Sequence, residues 1–304
     1  MLQVLFLGTS AARPTVERNV AGLVVTREGE SLLFECGEGT QRQMMRYGAS
    51  FAVADLFFSH FHADHYLGII GLVRTLGLQG RAEPMRLWGP KGAKRVLGAA
   101  LSLGPERPTF DIEIAEVEAG QRLAREGYEL VAYAVEHGGG ALGWALIEPT
   151  RHGRFNPDRA RELGVPEGRM WGELQRGRAV TLPDGRNVGP ETIVGAPRPG
   201  RRLVYTGDTR PCAATIEIAQ GADLLVHEAT FGDEEADRAK ETLHATAKEA
   251  AQVAKMAGAR RLALTHLSAR YSRDSAPLLD EAREVFPETV VAKDGLTIDI
   301  PFTD

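Results

Sequence analysis

Residues 59–65 read Ser-His-Phe-His-Ala-Asp-His, and this segment constrains the fold more than any other stretch of the chain. It follows an apolar run at 55–58 and precedes an apolar-periodic helix predicted over 65–76. In extended backbone, residues two apart share a face, so His60, His62 and Asp64 leave a strand end toward one point. His65, at the helix start, reaches the same cavity. Imidazole and carboxylate at this density are donors for zinc or manganese. A polar loop with incidental histidines explains any two of them, but poorly explains four ligands set between strand and helix. Two ions about 3.5 to 4 Å apart need more donors than one segment supplies, so the fold must bring others to it.

Candidates for the missing half each follow a β-rich run. His137 ends the run at 129–135, Asp208 the run at 202–206, and His266 the run at 261–265. Singly, a histidine at a strand end is more often structural than a ligand. Together they complete two sets: His60, His62, His137 and Asp208 for one ion, and Asp64, His65, Asp208 and His266 for the other, with Asp208 bridging. Residues gathered at strand ends are how an α/β layer protein builds a crevice.

The remaining pattern agrees with such layers. Strands are predicted at 3–7, 22–26, 31–34, 110–117 and 143–147, and a second helix after Gly89-Pro90 as far as Leu103. From 202 onward strands alternate with helices at 212–220, 244–257 and 276–285, and a closing strand pair spans 290–300. With 304 residues, 43% hydrophobic and 25% charged, the chain has a globular composition. One catalytic domain over 1–304 is expected, interrupted by an insertion at 148–199 that is rich in Arg, Gly and Pro. No apolar run approaches the roughly 18 to 20 residues that cross a bilayer. The opening MLQVLFLGTSAARPT has no basic leader region and reads as a first strand, so a cytoplasmic location is expected. Two cysteines, Cys36 and Cys212, exclude a disulfide framework and a four-thiolate site. The net charge is −5, yet residues 150–202 hold 11 Arg against 6 Asp and Glu, about +5, leaving about −10 elsewhere. Cys212 is expected to be a small buried residue, His152 to lie on the surface, and Trp88, Trp144 and Trp171 to pack in a core or an interface.

HFHADH at 60–65, His137, GDT at 207–209, HEATF at 227–231, LHATA at 243–247 and THLSARY at 265–271 together resemble the ribonuclease Z family, tRNA 3′-processing endonucleases of the metallo-β-lactamase superfamily. FLGTSA at 6–11, PTVERN at 14–19 and FECGEGTQRQ at 34–43 resemble that family's first strands and loop, so the likeness spans nearly the whole chain. It implies an αββα four-layer sandwich with a protruding arm, two Zn2+ per subunit, a precursor tRNA substrate and a homodimer. The 148–199 insertion matches the arm that grips the tRNA elbow, although where many members carry a Gly-Pro step this chain has Val165-Pro166-Glu167-Gly168-Arg169.

The chemistry follows from the residue types. Paired cations lower the pKa of a water held between them and clamp phosphoryl oxygens. Asp64 beside them can accept the water's proton, a base role the resemblance also implies. The leaving 3′-oxygen needs a proton, and His244 is the acid candidate, with Glu228 orienting it. Either residue equally fits a plain structural role, His244 as a helix cap and Glu228 as an exposed strand-end charge. Ser268 and Arg270 suit phosphate oxygens. The resemblance places Arg18 and Asn19 at the tRNA 3′ end, while loop structure is the alternative for both pairs. Two other functions stay open: a small-molecule phosphodiesterase or other hydrolase on the same scaffold, and a non-catalytic RNA-binding subunit.

Overall fold

The computed structural model describes residues 1–303. Its strands begin with β1 (Leu2–Gly8), β2 (Gly22–Arg27), β3 (Glu30–Phe34), β4 (Val53–Phe57), β5 (Met85–Gly89) and β6 (Ile112–Glu116). They continue with β7 (Arg122–Arg125), β8 (Tyr128–Ala134), β9 (Leu142–Ile147), β10 (Val180–Thr181), β11 (Asn187–Val188) and β12 (Arg202–Tyr205). β13 (Leu224–Glu228), β14 (Leu262–Thr265), β15 (Thr289–Val291) and β16 (Thr297–Asp299) complete the set. The helices are α1 (Thr40–Tyr47), α2 (Ala63–Tyr66), α3 (Ile69–Leu78), α4 (Ala93–Leu101), α5 (Pro157–Glu162) and α6 (Arg169–Gln175), then α7 (Ala213–Ile218), α8 (Ala236–Glu241), α9 (Ala247–Met256) and α10 (Ala276–Val285).

The chain divides into two compact units, 1–146 with 202–301, and 147–201 with the tail from Phe302. In the larger unit two seven-stranded sheets run in the orders β16-β1-β2-β3-β4-β5-β6 and β15-β14-β13-β12-β9-β8-β7. The period-2 alternation of the strands sorts their side chains into layers. Leu2, Val4 and Phe6 of β1, with Leu32 and Phe34 of β3, meet Leu130, Trp144, Leu203 and Val226 of the other sheet. Their neighbours Leu7 and Leu33 face the opposite way, against Met44 of α1, Leu72 and Val73 of α3 and Leu97 of α4. α9 and α10 cover the second sheet at β13, β14 and β15, which completes the αββα order of layers.

Three boundaries depart from the sequence reading. The helix expected over 65–76 is broken into α2 and α3 because Gly68 crosses Gly37 at close range: its N–H donates to the Cys36 carbonyl at 2.8 Å, and a Cβ there would stand 1.9 Å from the Gly37 oxygen. α9 starts at Ala247 rather than 244, since Thr246 and Glu249 form a reciprocal capping box that fixes the first turn. His244 is therefore a loop residue and not the cap. The closing strands do not pair with each other: β15 joins β14 in one sheet and β16 joins β1 in the other. The turn between them is held by the Gly295 N–H on the Phe6 carbonyl.

The smaller unit has its own apolar cluster, in which Ala160, Val165, Leu174, Val180, Leu182, Val188 and Ile193 pack with Phe155 and Trp171. Arg201 and Glu148, both buried, form a salt bridge at 2.7 Å where the unit's two chain ends meet. Its exposed arginines largely pair locally: Arg159 with Glu162, Arg161 with Asp158 and Glu167, Arg176 and Arg178 with Glu173, and Arg186 with Asp184. Cys212 is buried, His152 exposed, and Trp144 lies in the core between the sheets.

The Gly68 crossing predicts opposite signs for two glycine-to-alanine changes. Gly68→Ala forces two backbones apart and should lower stability by at least about 2 kcal/mol. Gly98→Ala, inside α4 with nothing within 4 Å of the new methyl, should raise it by about 0.5 to 1 kcal/mol. Urea midpoints at constant slope measure both.

Candidate metal centre

One strand of the first sheet, β4, and three mutually parallel strands of the second, β12, β13 and β14, deliver the site at their C-terminal ends. β4 leads into His60 and His62, β12 into Asp208, β13 ends on Glu228 and β14 leads into His266. His65 comes from α2, His137 from the loop after β8, and His244 from the loop between α8 and α9.

The expected ligands converge. His60, His62, His137 and Asp208 offer donor atoms within 4.8 Å of one another, and so do Asp64, His65 and His266. Asp208 faces both groups: its Oδ2 lies 3.5 Å from His60 Nε2, 3.4 Å from His65 Nε2 and 3.8 Å from His137 Nε2, and its Oδ1 lies 3.3 Å from His266 Nδ1. Between donors, His62 Nδ1 and His137 Nε2 stand 3.2 Å apart, and His65 Nε2 and His266 Nε2 stand 3.3 Å apart. A tetrahedron with bonds of about 2.0 to 2.1 Å has edges of about 3.3 Å, so these spacings suit tetrahedral coordination. His60 Nε2 is buried with no hydrogen-bond partner, as a nitrogen kept for an ion would be.

The far nitrogens of three of these rings are hydrogen-bonded, which fixes ring orientation at metal sites. His60 Nδ1 lies 2.9 Å from Ser59 Oγ, His137 Nδ1 donates to the Leu243 carbonyl at 2.8 Å, and His266 Nδ1 lies 3.1 Å from Thr230 Oγ1. His65 Nδ1 faces Glu35 Oε1 at 3.5 Å, and that carboxylate also accepts the Ser59 N–H at 3.0 Å. Ser59, Glu35, Thr230 and the Leu243 carbonyl were not identifiable from the sequence. Glu35 stood inside a noted motif, but only its left-handed φ of 58° aims it back at His65.

Electrostatics fits cation binding. Burial, together with the neighbouring His65, holds His60 well below the usual histidine range, so its lone pair is free. Burial alone would raise Asp208, but His266 and His65 outweigh it and keep the carboxylate ionised. Asp64 is likewise held low against its burial, by its hydrogen bond with His266 and by His65. Its Oδ2 accepts the Ala12 N–H at 2.8 Å.

His244 and Glu228 form a pair at 2.7 Å through Nδ1. Burial lowers the imidazole pKa, but the Glu228 charge and hydrogen bond overcome that and push it up to about 9. Glu228 is fully buried rather than an exposed strand-end charge; it also accepts N–H groups from Thr209, Thr230 and Ala245. His244 additionally lies within coordinating reach of Asp208 and His266, but its bond to Glu228 ties one nitrogen and leaves only Nε2 for the cleft.

A cleft of about 470 Å³ opens over Asp64, Asp208, His244 and His266, and Ser268 and Arg270 line it as expected. Arg270 is paired there with Glu235 at 2.9 Å. Arg13 and Arg238 line the same cleft and were missed. Arg18 and Asn19 are not among the residues lining this cleft; both fasten their loop. Arg18 is 7% exposed, and its Nη1 donates to Thr9 Oγ1 at 2.7 Å and to the Ala292 carbonyl at 2.6 Å. Asn19 binds Asp294 through its N–H at 2.6 Å and the Glu38 carbonyl through its amide at 3.0 Å.

Glu35→Gln removes the charge behind His65 and keeps the shape. Affinity for a divalent ion, read by competition with a chromogenic chelator, should fall about 10- to 100-fold with the folded state retained. Unchanged affinity would mean that His65 needs no such support.

Comparisons with known proteins agree with this geometry. The family profile described as beta-lactamase superfamily domain matches residues 185–267, and the profile for anti-Pycsar protein Apyc1 matches residues 2–119. Ribonuclease Z of Gemmatimonas aurantiaca is 58% identical over 305 residues, covering 100% of this chain and 97% of that protein. Ribonuclease Z of Myxococcus xanthus is also 58% identical, covering 100% and 99%. The solved structure of human tRNase Z, short form, superposes with a TM-score of 0.72 at 26% identity, covering 99% of this chain and 100% of that one. By sequence over its full length, and by the metallo-β-lactamase fold that carries its histidines, the chain belongs to the ribonuclease Z family.

Proposed function

We propose that this protein is an endoribonuclease that removes the 3′ trailer from precursor tRNA, leaving a 3′-hydroxyl on the tRNA and a 5′-phosphate on the trailer, with two zinc ions per subunit. The observation that carries the reading is Asp208 shared between two ligand groups, with the His244–Glu228 pair beside them. Full-length relatives named ribonuclease Z supply the substrate class.

His60, His62, His137 and Asp208 would hold one ion, and Asp64, His65, Asp208 and His266 the other; a donor set of imidazoles and carboxylates without thiolate suits zinc first and manganese second. Such ions, when bound, acidify water and neutralise charge on a phosphodiester. Asp64, ionised and held by the Ala12 N–H, is the proton acceptor on the attacking side. His244 keeps a proton because Glu228 stabilises its charged form, and its free Nε2 delivers that proton to the departing 3′-oxygen. Ser268, Arg270, Arg13 and Arg238 meet phosphate oxygens along the cleft.

The smaller unit serves as the tRNA-binding arm. Exposed ion pairs contribute only about 0 to 1 kcal/mol each, so its paired arginines can exchange a carboxylate for a phosphate at little cost. Arg169, at the start of α6, is exposed and makes no ion pair among the described residues. A homodimer in which the arm of one subunit serves the site of the other, working in the cytoplasm, completes the proposal. No helix among the described residues is long and apolar enough to cross a membrane.

Incubation with a 3′-extended tRNA and mapping of the cut to the nucleotide tests the activity; absence of cleavage, with hydrolysis of a nitrophenyl phosphodiester intact, would favour a small-molecule enzyme. His244→Ala should cost about 10²- to 10⁴-fold in kcat on precursor tRNA and at least about tenfold less than that on the nitrophenyl diester, whose leaving group needs no proton. Equal losses remove the acid assignment. Replacing Arg159, Arg161, Arg169 and Arg178 with Gln should raise KM for precursor tRNA by more than about tenfold and flatten its salt dependence, with the nitrophenyl diester as internal reference.

A further inference from the structure

A second cavity, of about 530 Å³, opens on the other flank of the histidine cluster. It is lined by Phe61, Lys91, Arg95, Val96, Gly138 and Gly139, together with His60 and His137 from the cluster itself. The two cavities share His62 and Thr242, which form a ridge between them. Only the first is lined by His244, Ser268 and Arg270. In the second, Lys91 and Arg95 are exposed, and neither makes an ion pair among the described residues. One wall is backbone: a Cβ at Gly138 or Gly139 would meet nothing within 4 Å.

We propose that this second cavity is the subsite for the trailer strand, with Lys91 and Arg95 binding its phosphates. The assignment rests on the endonuclease reading and follows from which bond breaks. A bond forms between the water oxygen and phosphorus, and the bond from phosphorus to the tRNA 3′-oxygen breaks. Asp64 takes the water's proton, and His244 supplies one to the 3′-oxygen. The leaving oxygen belongs to the last tRNA nucleotide, so that nucleotide must occupy the side where His244 is. The phosphate stays on the first trailer nucleotide, which therefore continues across the His62–Thr242 ridge into the second cavity. An endonuclease needs room on both sides of the scissile bond, and unpaired cations are the means of holding a strand without reading its sequence.

The double variant Lys91→Ala/Arg95→Ala should raise KM roughly tenfold or more for precursor tRNA carrying a long trailer, and progressively less as the trailer shortens to one nucleotide. Lys94→Ala, at a residue exposed on the helix that carries Arg95 but outside the cavity, should show no dependence on trailer length. A second readout needs no turnover: anisotropy of a fluorescent, 5′-phosphorylated trailer oligoribonucleotide on metal-stripped protein. Its affinity should fall in the double variant, and the salt slope should shrink by about 1.4, about 0.7 for each single-strand phosphate that the removed cations no longer neutralise. A penalty independent of trailer length, one equally present in Lys94→Ala, or an unchanged salt slope overturns the proposal. Should the unaltered protein fail to cut precursor tRNA, the endonuclease reading falls, while the oligonucleotide measurement still judges the cavity by itself.

Discussion

Asp208 is a carboxylate 2% exposed to solvent, set within 3.8 Å of nitrogens from four histidines that arrive on three segments of the chain. Burying an ion costs several kcal/mol unless opposite charge and hydrogen bonds compensate, and an apolar side chain would suit the fold better. Its environment instead depresses its pKa against burial, an arrangement useful for binding cations. The parallel run β12-β13-β14 makes it possible, because neighbouring parallel strands end on the same side of the sheet and place Asp208, Glu228 and His266 side by side.

Much of this was legible in the sequence because ligand chemistry is tied to residue type and strand ends are marked by apolar runs. His60 to His65 announced themselves by spacing, and His137, Asp208 and His266 by position after β-runs. The direction of a long side chain carries no such mark. The resemblance places Arg18 at the tRNA 3′ end, with loop structure as the alternative, and its guanidinium ties the N-terminal loop to the turn after β15. Likewise β15 and β16 read as a hairpin, because a short turn between two β-runs does not reveal that the strands enter different sheets.

Backbone conformation was the other hidden variable. Ala12, Glu35, Leu243 and His266 are non-glycine residues with φ between 55° and 59°, and each holds or neighbours a group of the site. Ala12 binds Asp64, Glu35 faces His65, the Leu243 carbonyl fixes His137, and His266 is itself in the cluster. Left-handed backbone costs a β-carbon residue about 1 to 2 kcal/mol, and such strain persists only where packing over-determines it.

The smaller unit obeys a different logic. Its exposed arginines are paired mostly within one or two helical turns, so its positive field is spread and screened over a distance of about 8 to 10 Å at moderate salt. A polyanion with regularly spaced phosphates gains from many such weak interactions at once, whereas a single small diester gains from few. In the proposed function, the pre-strained, buried cluster does the chemistry and the exposed, exchangeable charges supply the grip, a division that would favour a long nucleic acid substrate over a small one.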